Sequence, residues 1–180
     1  MHQKRIESNT EWEKWGEIDP LRGVASWKGR EKDGTNPWTD KDFYQLGQSD
    51  WTDFLEQWER YGLDKTSCLE IGCGAGRVTM HLSKYFQTTN AIDVSKGMID
   101  YARERIKNPS VKFHLSNGIE IPLSDNSVSA VFSTYVFQHF DSLSHATAYF
   151  LEISRVLIPE GSLMIHLPVS NWPVMPRIFN

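Results

Sequence analysis

Between residues 66 and 167 short apolar runs alternate with amphipathic stretches, and this rhythm constrains the fold more than any other feature. Ser67–Ile71, Thr89–Asp93, Val111–Leu115, Val128–Ser133 and Ser162–Leu167 read as strands. Ala75–Phe86 places Val78, Leu82, Tyr85 and Phe86 on one helical face, and Ser95 caps a helix carrying Ile99, Ala102 and Ile106. Ser142–Leu157 turns Ala146, Tyr149, Phe150, Ile153, Val156 and Leu157 inward, and Pro159–Gly161 turns the chain into the fifth strand. Strands separated by helices of this length pair in parallel through right-handed crossovers. The expected class is α/β: a Rossmann-like doubly wound sheet of five parallel strands, order 3-2-1-4-5, with helices on both faces.

Residues 1–64 follow a different pattern. Six of the seven Trp fall there, and residues 1–62 carry 9 basic against 13 acidic side chains, the whole of the net charge of −4. Ser8 or Asn9 can cap a short helix bearing Trp12, Trp15 and Ile18. Trp27–Thr39 holds Gly29, Gly34 and Pro37 without periodicity and reads as a loop. Asp50 opens a helix whose face is Trp51, Phe54, Leu55, Trp58 and Tyr61, with Gly62 suited to its C-terminal cap. The expected organisation is a mostly helical extension over 1–64, a core over 65–167 and a Pro-containing tail over 168–180.

Composition excludes several functions. A net negative charge argues against a nucleic-acid binder held by bulk charge, since phosphate affinity comes from Lys and Arg. No run approaches the roughly 18–20 apolar residues that cross a bilayer. Two cysteines, Cys68 and Cys73, cannot build a disulfide scaffold and suit a reducing compartment, so a cytoplasmic location is expected. The six His are scattered without metal-ligand spacing to cysteines, so no metal site is expected.

The chemistry concentrates in Leu69-Glu70-Ile71-Gly72-Cys73-Gly74-Ala75-Gly76-Arg77. Alternating glycines between a strand and a helix allow a tight turn and bring a ligand against bare main chain. The helix end beyond them favours a negatively charged ligand group. Nicotinamide and flavin proteins favour G-x-G-x-x-G, but here the spacing is G-x-G-x-G and Arg77 stands where the last glycine would fall. With Glu70 two residues before the first glycine, the string resembles the first motif of class I S-adenosylmethionine-dependent methyltransferases. The resemblance spans about residues 66–167 and extends to Leu157-Ile158-Pro159-Glu160-Gly161-Ser162-Leu163, which is similar to the family's turn into strand five.

That resemblance implies S-adenosylmethionine as cofactor and assigns roles residue by residue. Gly72, Cys73, Gly74 and Gly76 form the surface under the methionine end, and Glu70 orders the loop. Asp93, 21 residues after Gly72, would bond both ribose hydroxyls. Val94 and Met98 would pack on the adenine. Asn117 and Gly118 resemble the adenine-edge loop, with Asn where the family more often has Asp; an amide oxygen can still accept from the adenine amino group. Ser133 and Thr134 would approach the amino acid moiety.

Methyl transfer from a sulfonium is largely a matter of alignment, and a base is needed only where the acceptor must lose a proton. His139, after strand four, is the candidate base, and Tyr135 would line the acceptor pocket or face the sulfonium. The expected activity is methyl transfer to a small molecule, with oxygen preferred as acceptor atom because His139 could deprotonate it. The absence of Asn/Asp-Pro-Pro-Tyr argues against methylation of nucleic-acid bases. Trp27 and Trp38 are lid candidates, while Trp51 and Trp58 read as core contacts. Two rival readings stay open: a non-catalytic binding module with this fold, and a nicotinamide-dependent oxidoreductase. The family's closing antiparallel strand pair cannot be built from the residues after Leu167, which include Pro168, Pro173 and Pro176. Strand five is thus expected to be an open edge, covered by a partner chain or left open by truncation.

Overall fold

The computed structural model describes residues 7–167. The expected tail over 168–180 lies outside them. In the core, β1 (Ser67–Ile71), β2 (Thr88–Asp93), β3 (Val111–Leu115), β4 (Val128–Ser133) and β5 (Leu157–Ile165) form one parallel sheet in the order β3-β2-β1-β4-β5. This is the doubly wound sheet that the alternation predicts. The register is Glu70↔Ala91 between β1 and β2 and Glu70↔Phe132 between β1 and β4, so the carboxyl ends of the central strands finish together. That alignment sets up a crevice where the strand order reverses.

Before the core come α1 (Glu7–Ile18), α2 (Pro20–Val24) and α3 (Asp40–Glu59); within it lie α4 (Thr79–Tyr85), α5 (Lys96–Arg105) and α6 (Leu143–Val156). Ser95 and Ser142 cap α5 and α6, each accepting a backbone N–H three residues on. One sheet face buries Leu69, Ile71 and Val131 against Ile153 of α6. The other buries Cys68, Ala130 and Phe132 against Trp51 and Trp58 of α3, so these two tryptophans are core residues. The Trp58 indole N–H also donates to Ser162 Oγ at 2.9 Å, tying α3 to β5.

Five expectations are corrected. α3 starts at Asp40, where Thr39 Oγ1 accepts from Asp42 N, and runs through Asp50; the buried face already begins at Phe43 and Tyr44. Tyr61, expected on that face, lies past the helix end and is exposed. α4 begins at Thr79, not Ala75, because Gly74 and Gly76 hold positive φ, which an α-helix does not tolerate. β5 begins at Leu157: Pro159–Gly161 form a bulge inside it, Glu160 taking φ 64°, while Val128 pairs with Leu157 and Ala130 with Ser162. On α6, Phe150 is not inward; it sits half-exposed against Phe137 at 5.2 Å between ring centroids.

Candidate functional site

At the carboxyl ends of the strands lies a cavity of about 420 Å³. Gly72–Gly74 follow β1 into its wall, Asp93 and Val94 follow β2, and Ser116 and Gly118 follow β3. Thr134–Val136 close it from β4. Short strands ending in register, with Gly72, Ser116 and Thr134 following β1, β3 and β4, create this hollow.

Asp93 binds the glycine loop directly. Gly74 N donates to Asp93 Oδ2 at 2.8 Å and Ser95 N donates to Oδ1 at 2.8 Å. Burial raises the Asp93 pKa, and these backbone donors oppose the shift. Glu70 is buried and accepts from Thr79 Oγ1 at 2.5 Å, joining the end of β1 to the start of α4 across the loop. Burial pushes its carboxyl up to about 8; the Thr79 bond pulls it down and the Asp93 charge adds to the rise. The other loop donors are also committed: Gly72 N and Cys73 N to Ile92 O, and Gly76 N to Cys73 O. With α4 only seven residues long and starting later than expected, the anion-binding helix end foreseen from the sequence is not formed beside the glycines.

Several sequence-predicted residues lie off the wall. Met98 is 1% exposed and packs with Leu21, Phe43 and Ala75 beneath the N-terminal segment. A Cβ on Gly76, at φ 82°, would meet Ile106 Cδ1 at 2.6 Å, so this glycine serves contact between the loop and α5. Ser133 Oγ donates to Ile71 O, holding β4 to β1. The Asn117 amide oxygen accepts from Ile119 N and Glu120 N at 2.9 and 2.8 Å, which spends it within its own turn. Gly118 remains on the wall.

His139 and Tyr135 both line the cavity. His139 ends a 3-10 turn over Phe137–His139 and meets the Trp12 ring edge-on at 5.0 Å. The Gln138 amide donates to its Nε2 at 3.1 Å, and burial lowers its pKa, favouring the neutral ring. Tyr135 takes φ 59° and packs between His166, at 4.7 Å, and the Arg77 guanidinium, at 5.6 Å.

Other wall residues were not predicted. The N-terminal segment contributes Trp12, Val24 and Asp50, beside the lid candidate Trp27. Val24 occupies the space a side chain on Gly74 would need, its Cγ2 being 2.6 Å from such a Cβ. Asn9 Nδ2 donates to Asn117 O at 3.0 Å, pinning α1 over the loop after β3. Trp38, a lid candidate, lies behind Trp27, its indole N–H on Ala25 O. His145, on the first turn of α6, reaches Gly118 O with Nε2 at 2.5 Å. A carbonyl only accepts, so Nε2 carries the hydrogen and the neutral ring keeps Nδ1 as an acceptor. Arg77 is buried and ion-paired with Asp50, 27 residues earlier. Nothing in the sequence signals that pairing beyond an arginine where a glycine might stand. Among the described residues, no cluster of three or more His, Cys, Asp or Glu could hold a metal ion, and no helix is long and apolar enough to cross a membrane.

A family model described as "Methyltransferase domain" matches residues 69–165, from the glycine strand to the end of β5. A malonyl-[acyl-carrier protein] O-methyltransferase of Hahella chejuensis is 34% identical over 98 residues, covering 53% of this chain and 34% of that protein. Phosphoethanolamine N-methyltransferase 1 of Haemonchus contortus, solved with phosphoethanolamine and S-adenosylhomocysteine, superposes with a TM-score of 0.68 at 18% identity, over 88% of this chain and 31% of that one. A SAM-dependent methyltransferase of Aquifex aeolicus gives 0.54 at 24% identity, over 68% and 69%. These structural likenesses show a shared fold. The chain spans about a third or less of the length of the first curated relatives it matches.

Proposed function

This chain belongs to the class I S-adenosylmethionine-dependent methyltransferase family, and we propose that it transfers the cofactor's methyl group to a small-molecule acceptor in the cavity between the strand ends and α1. One observation carries the reading: the hollow is bounded by the bare main chain at Gly72–Gly74, by Asp93 and by the loop of Ser116–Gly118. Those are three separate elements that a nucleoside joined to an amino acid would have to touch together.

The residues present fit that cofactor. Both Asp93 oxygens accept one backbone N–H each and keep further acceptor capacity for sugar hydroxyls. Asp93, beside the mutually neutralising Asp50–Arg77 pair, leaves an acidic bias suited to a cation, to which Glu70, its carboxyl pushed up to about 8, adds little. When bound, S-adenosylmethionine supplies an electrophilic methyl on a sulfonium. The chain's part is to hold and align, with Val94 against the adenine and Trp12 and Val24 excluding water from above. His145 Nδ1, left as an acceptor, takes over the adenine-edge role that Asn117 cannot fill. His139, neutral and on the wall, is the base for a hydroxyl acceptor once the Gln138 amide releases Nε2, the ring's one acceptor nitrogen, which keeps oxygen the preferred atom. The O-methyltransferase named above is consistent with that choice. The two buried free thiols, Cys68 and Cys73, suit a cytoplasmic setting. The N-terminal segment acts as a lid, since Trp12, Val24 and Trp27 line the cavity beside the strand ends.

The commitment of the Asn117 oxygen favours, as a second reading, a binding module that holds the cofactor without turnover. The nicotinamide reading falls with the family match. Calorimetric titration with S-adenosylmethionine and S-adenosylhomocysteine tests the cofactor, with both expected to bind. Absence of binding would sink the proposal, and binding without methyl transfer to any oxygen, nitrogen or carbon acceptor in a panel would leave the second reading standing.

A further inference from the structure

We propose that the methyl acceptor is a hydroxylated planar aromatic ring, taken up on the ring surfaces that Trp27 and Tyr135 present to the cavity; the inference rests on the methyltransferase reading above and adds to it the chemical class of the acceptor. Both residues lie on wall that the cofactor reading leaves unused, and they stay 56% and 46% exposed. Trp27 is backed by Trp38, at 5.2 Å between ring centroids. Trp38 is itself fixed by its indole N–H on Ala25 O at 2.8 Å, by the Arg30 guanidinium 3.9 Å over its ring and by the buried Phe43 edge-on at 6.2 Å. Trp27 is therefore held in place without a ligand, and such a surface takes a flat ring with little ordering cost. Tyr135 adds a second ring. Its φ of 59° is left-handed, which a tyrosine adopts only at a cost. His166 at 4.7 Å and the Arg77 guanidinium at 5.6 Å hold it there, on the cavity wall.

The charges around these rings favour a neutral ligand. Arg77 is matched by Asp50, and burial favours the uncharged form of His139. Aromatic surface beside paired charge suits a flat, uncharged molecule. His139 makes the same choice from the chemical side. With its pKa lowered, it is a weaker base than a free imidazole. A phenolic hydroxyl, with a pKa of about 10, yields its proton to such a base far more readily than an aliphatic hydroxyl, whose pKa lies near that of water, about 16. In the transfer the hydroxyl oxygen bonds the methyl carbon and the methyl–sulfur electron pair returns to sulfur. The hydroxyl proton passes to His139 Nε2 after the Gln138 amide has released it, so the positive charge lost at sulfur ends on the imidazole.

Calorimetry on the full chain saturated with S-adenosylhomocysteine tests the assignment. The probes are 2-naphthol, its saturated counterpart decahydro-2-naphthol, and naphthalene as the ring without the hydroxyl. The wild-type chain should prefer 2-naphthol over decahydro-2-naphthol by roughly fivefold or more. Trp27→Leu keeps apolar bulk without a ring and should bring the two alcohols within about twofold, whereas Trp27→Phe should retain the preference. Tyr135→Leu should narrow it as well, which keeps the test independent of whether one variant folds; each variant is read only where it binds S-adenosylhomocysteine as the parent does. For the hydroxyl, the wild-type chain should prefer 2-naphthol over naphthalene by roughly threefold or more, and His139→Phe should abolish that difference. The proposal is overturned if the wild-type chain holds S-adenosylhomocysteine but binds neither alcohol or both equally. It is also overturned if Trp27→Leu and Tyr135→Leu keep the wild-type preference, or if His139→Phe still distinguishes 2-naphthol from naphthalene. Should the wild-type chain bind no S-adenosylhomocysteine, the cofactor reading fails, and the three probes titrated alone decide for or against the ring site by the same ratios.

Discussion

Asp93 holds Gly74 by a 2.8 Å bond from the glycine's backbone N–H to Oδ2, so the acid expected to meet the ribose also fixes the loop expected to meet the methionine. The same carboxylate accepts from Ser95 N, which orients the turn into α5. Asp93→Ala leaves two backbone donors without partners inside the fold. It should therefore cost roughly 1–3 kcal/mol of stability by urea denaturation, on top of any loss of cofactor affinity. Asp93→Asn keeps one amide oxygen for one of the donors and should recover part of that stability. If Asp93→Ala binds S-adenosylhomocysteine as tightly as the parent chain, the ribose role is wrong while the loop role can still be read from the denaturation curve.

Glu70 gives the core a pH dependence of definite sign. Its carboxyl is raised from 4.5 in the unfolded chain to about 8 in the fold, so the native state binds the extra proton between those values. Stability is full below about 4.5 and declines as pH rises toward 8, with Asp93, also raised, adding in the same direction. Glu70→Gln carries no titrating proton and can still accept from Thr79 Oγ1. Urea midpoints at pH 5 and pH 8 should lie closer together in Glu70→Gln than in the parent, through a gain at the higher pH. An unchanged difference between the two midpoints would show that Glu70 is ionised in the fold.

The sheet order and the crevice were legible because they rest on local signals: period, caps, and glycines at a strand end. The runs of β1 and β4 are buried on both faces at the centre of the sheet, while the edge strands β3 and β5 stay partly exposed. What was not legible depends on contacts distant in sequence. Thr39 caps α3 eleven residues before Asp50, yet both are competent cap residues, and only the burial of Phe43 and Tyr44 against the core selects the earlier start. Asn117 looked free to meet adenine because its own turn, closing on Ile119 and Glu120, is a local competitor that composition does not reveal. Met98 had the right spacing for the adenine, but α1 and α2 cover that side of α5 and draw the side chain into their core. Asp50 and Arg77 meet only because α3 crosses the start of the glycine-loop segment.

Gly62 and Gly76 offer a matched pair for separating backbone strain from packing. Both have φ near 80°, at 81° and 82°. A Cβ on Gly62 would meet nothing within 4 Å, whereas one on Gly76 would press on Ile106 Cδ1 and Ala102 Cβ at 2.6 and 3.1 Å. Gly62→Ala should cost about 1–2 kcal/mol, the left-handed penalty alone. Gly76→Ala should cost about 1–3 kcal/mol more, because α5 must shift or distort to admit the methyl group. Equal losses in thermal or urea denaturation would mean that Ile106 moves aside freely and that the third glycine is needed only for its turn.

Trp12 connects α1 to the candidate base. Its ring stands edge-on to His139 at 5.0 Å, on the helix that Asn9 pins to Asn117 O. Covering His139 is part of what lowers its pKa, since burial is the largest cause of that shift. Trp12→Ala therefore has two separable consequences. The His139 pKa, followed by NMR titration of its ring protons, should move up toward 6.5 as water reaches the ring. Dissociation of S-adenosylhomocysteine, followed by stopped-flow fluorescence, should accelerate because the cavity wall has lost a large apolar side chain. Trp12 lies outside the strand cores, so the melting transition should change far less than in Gly76→Ala. A variant with an unchanged off-rate and an unchanged His139 titration would remove α1 from the gating role and leave it a static wall.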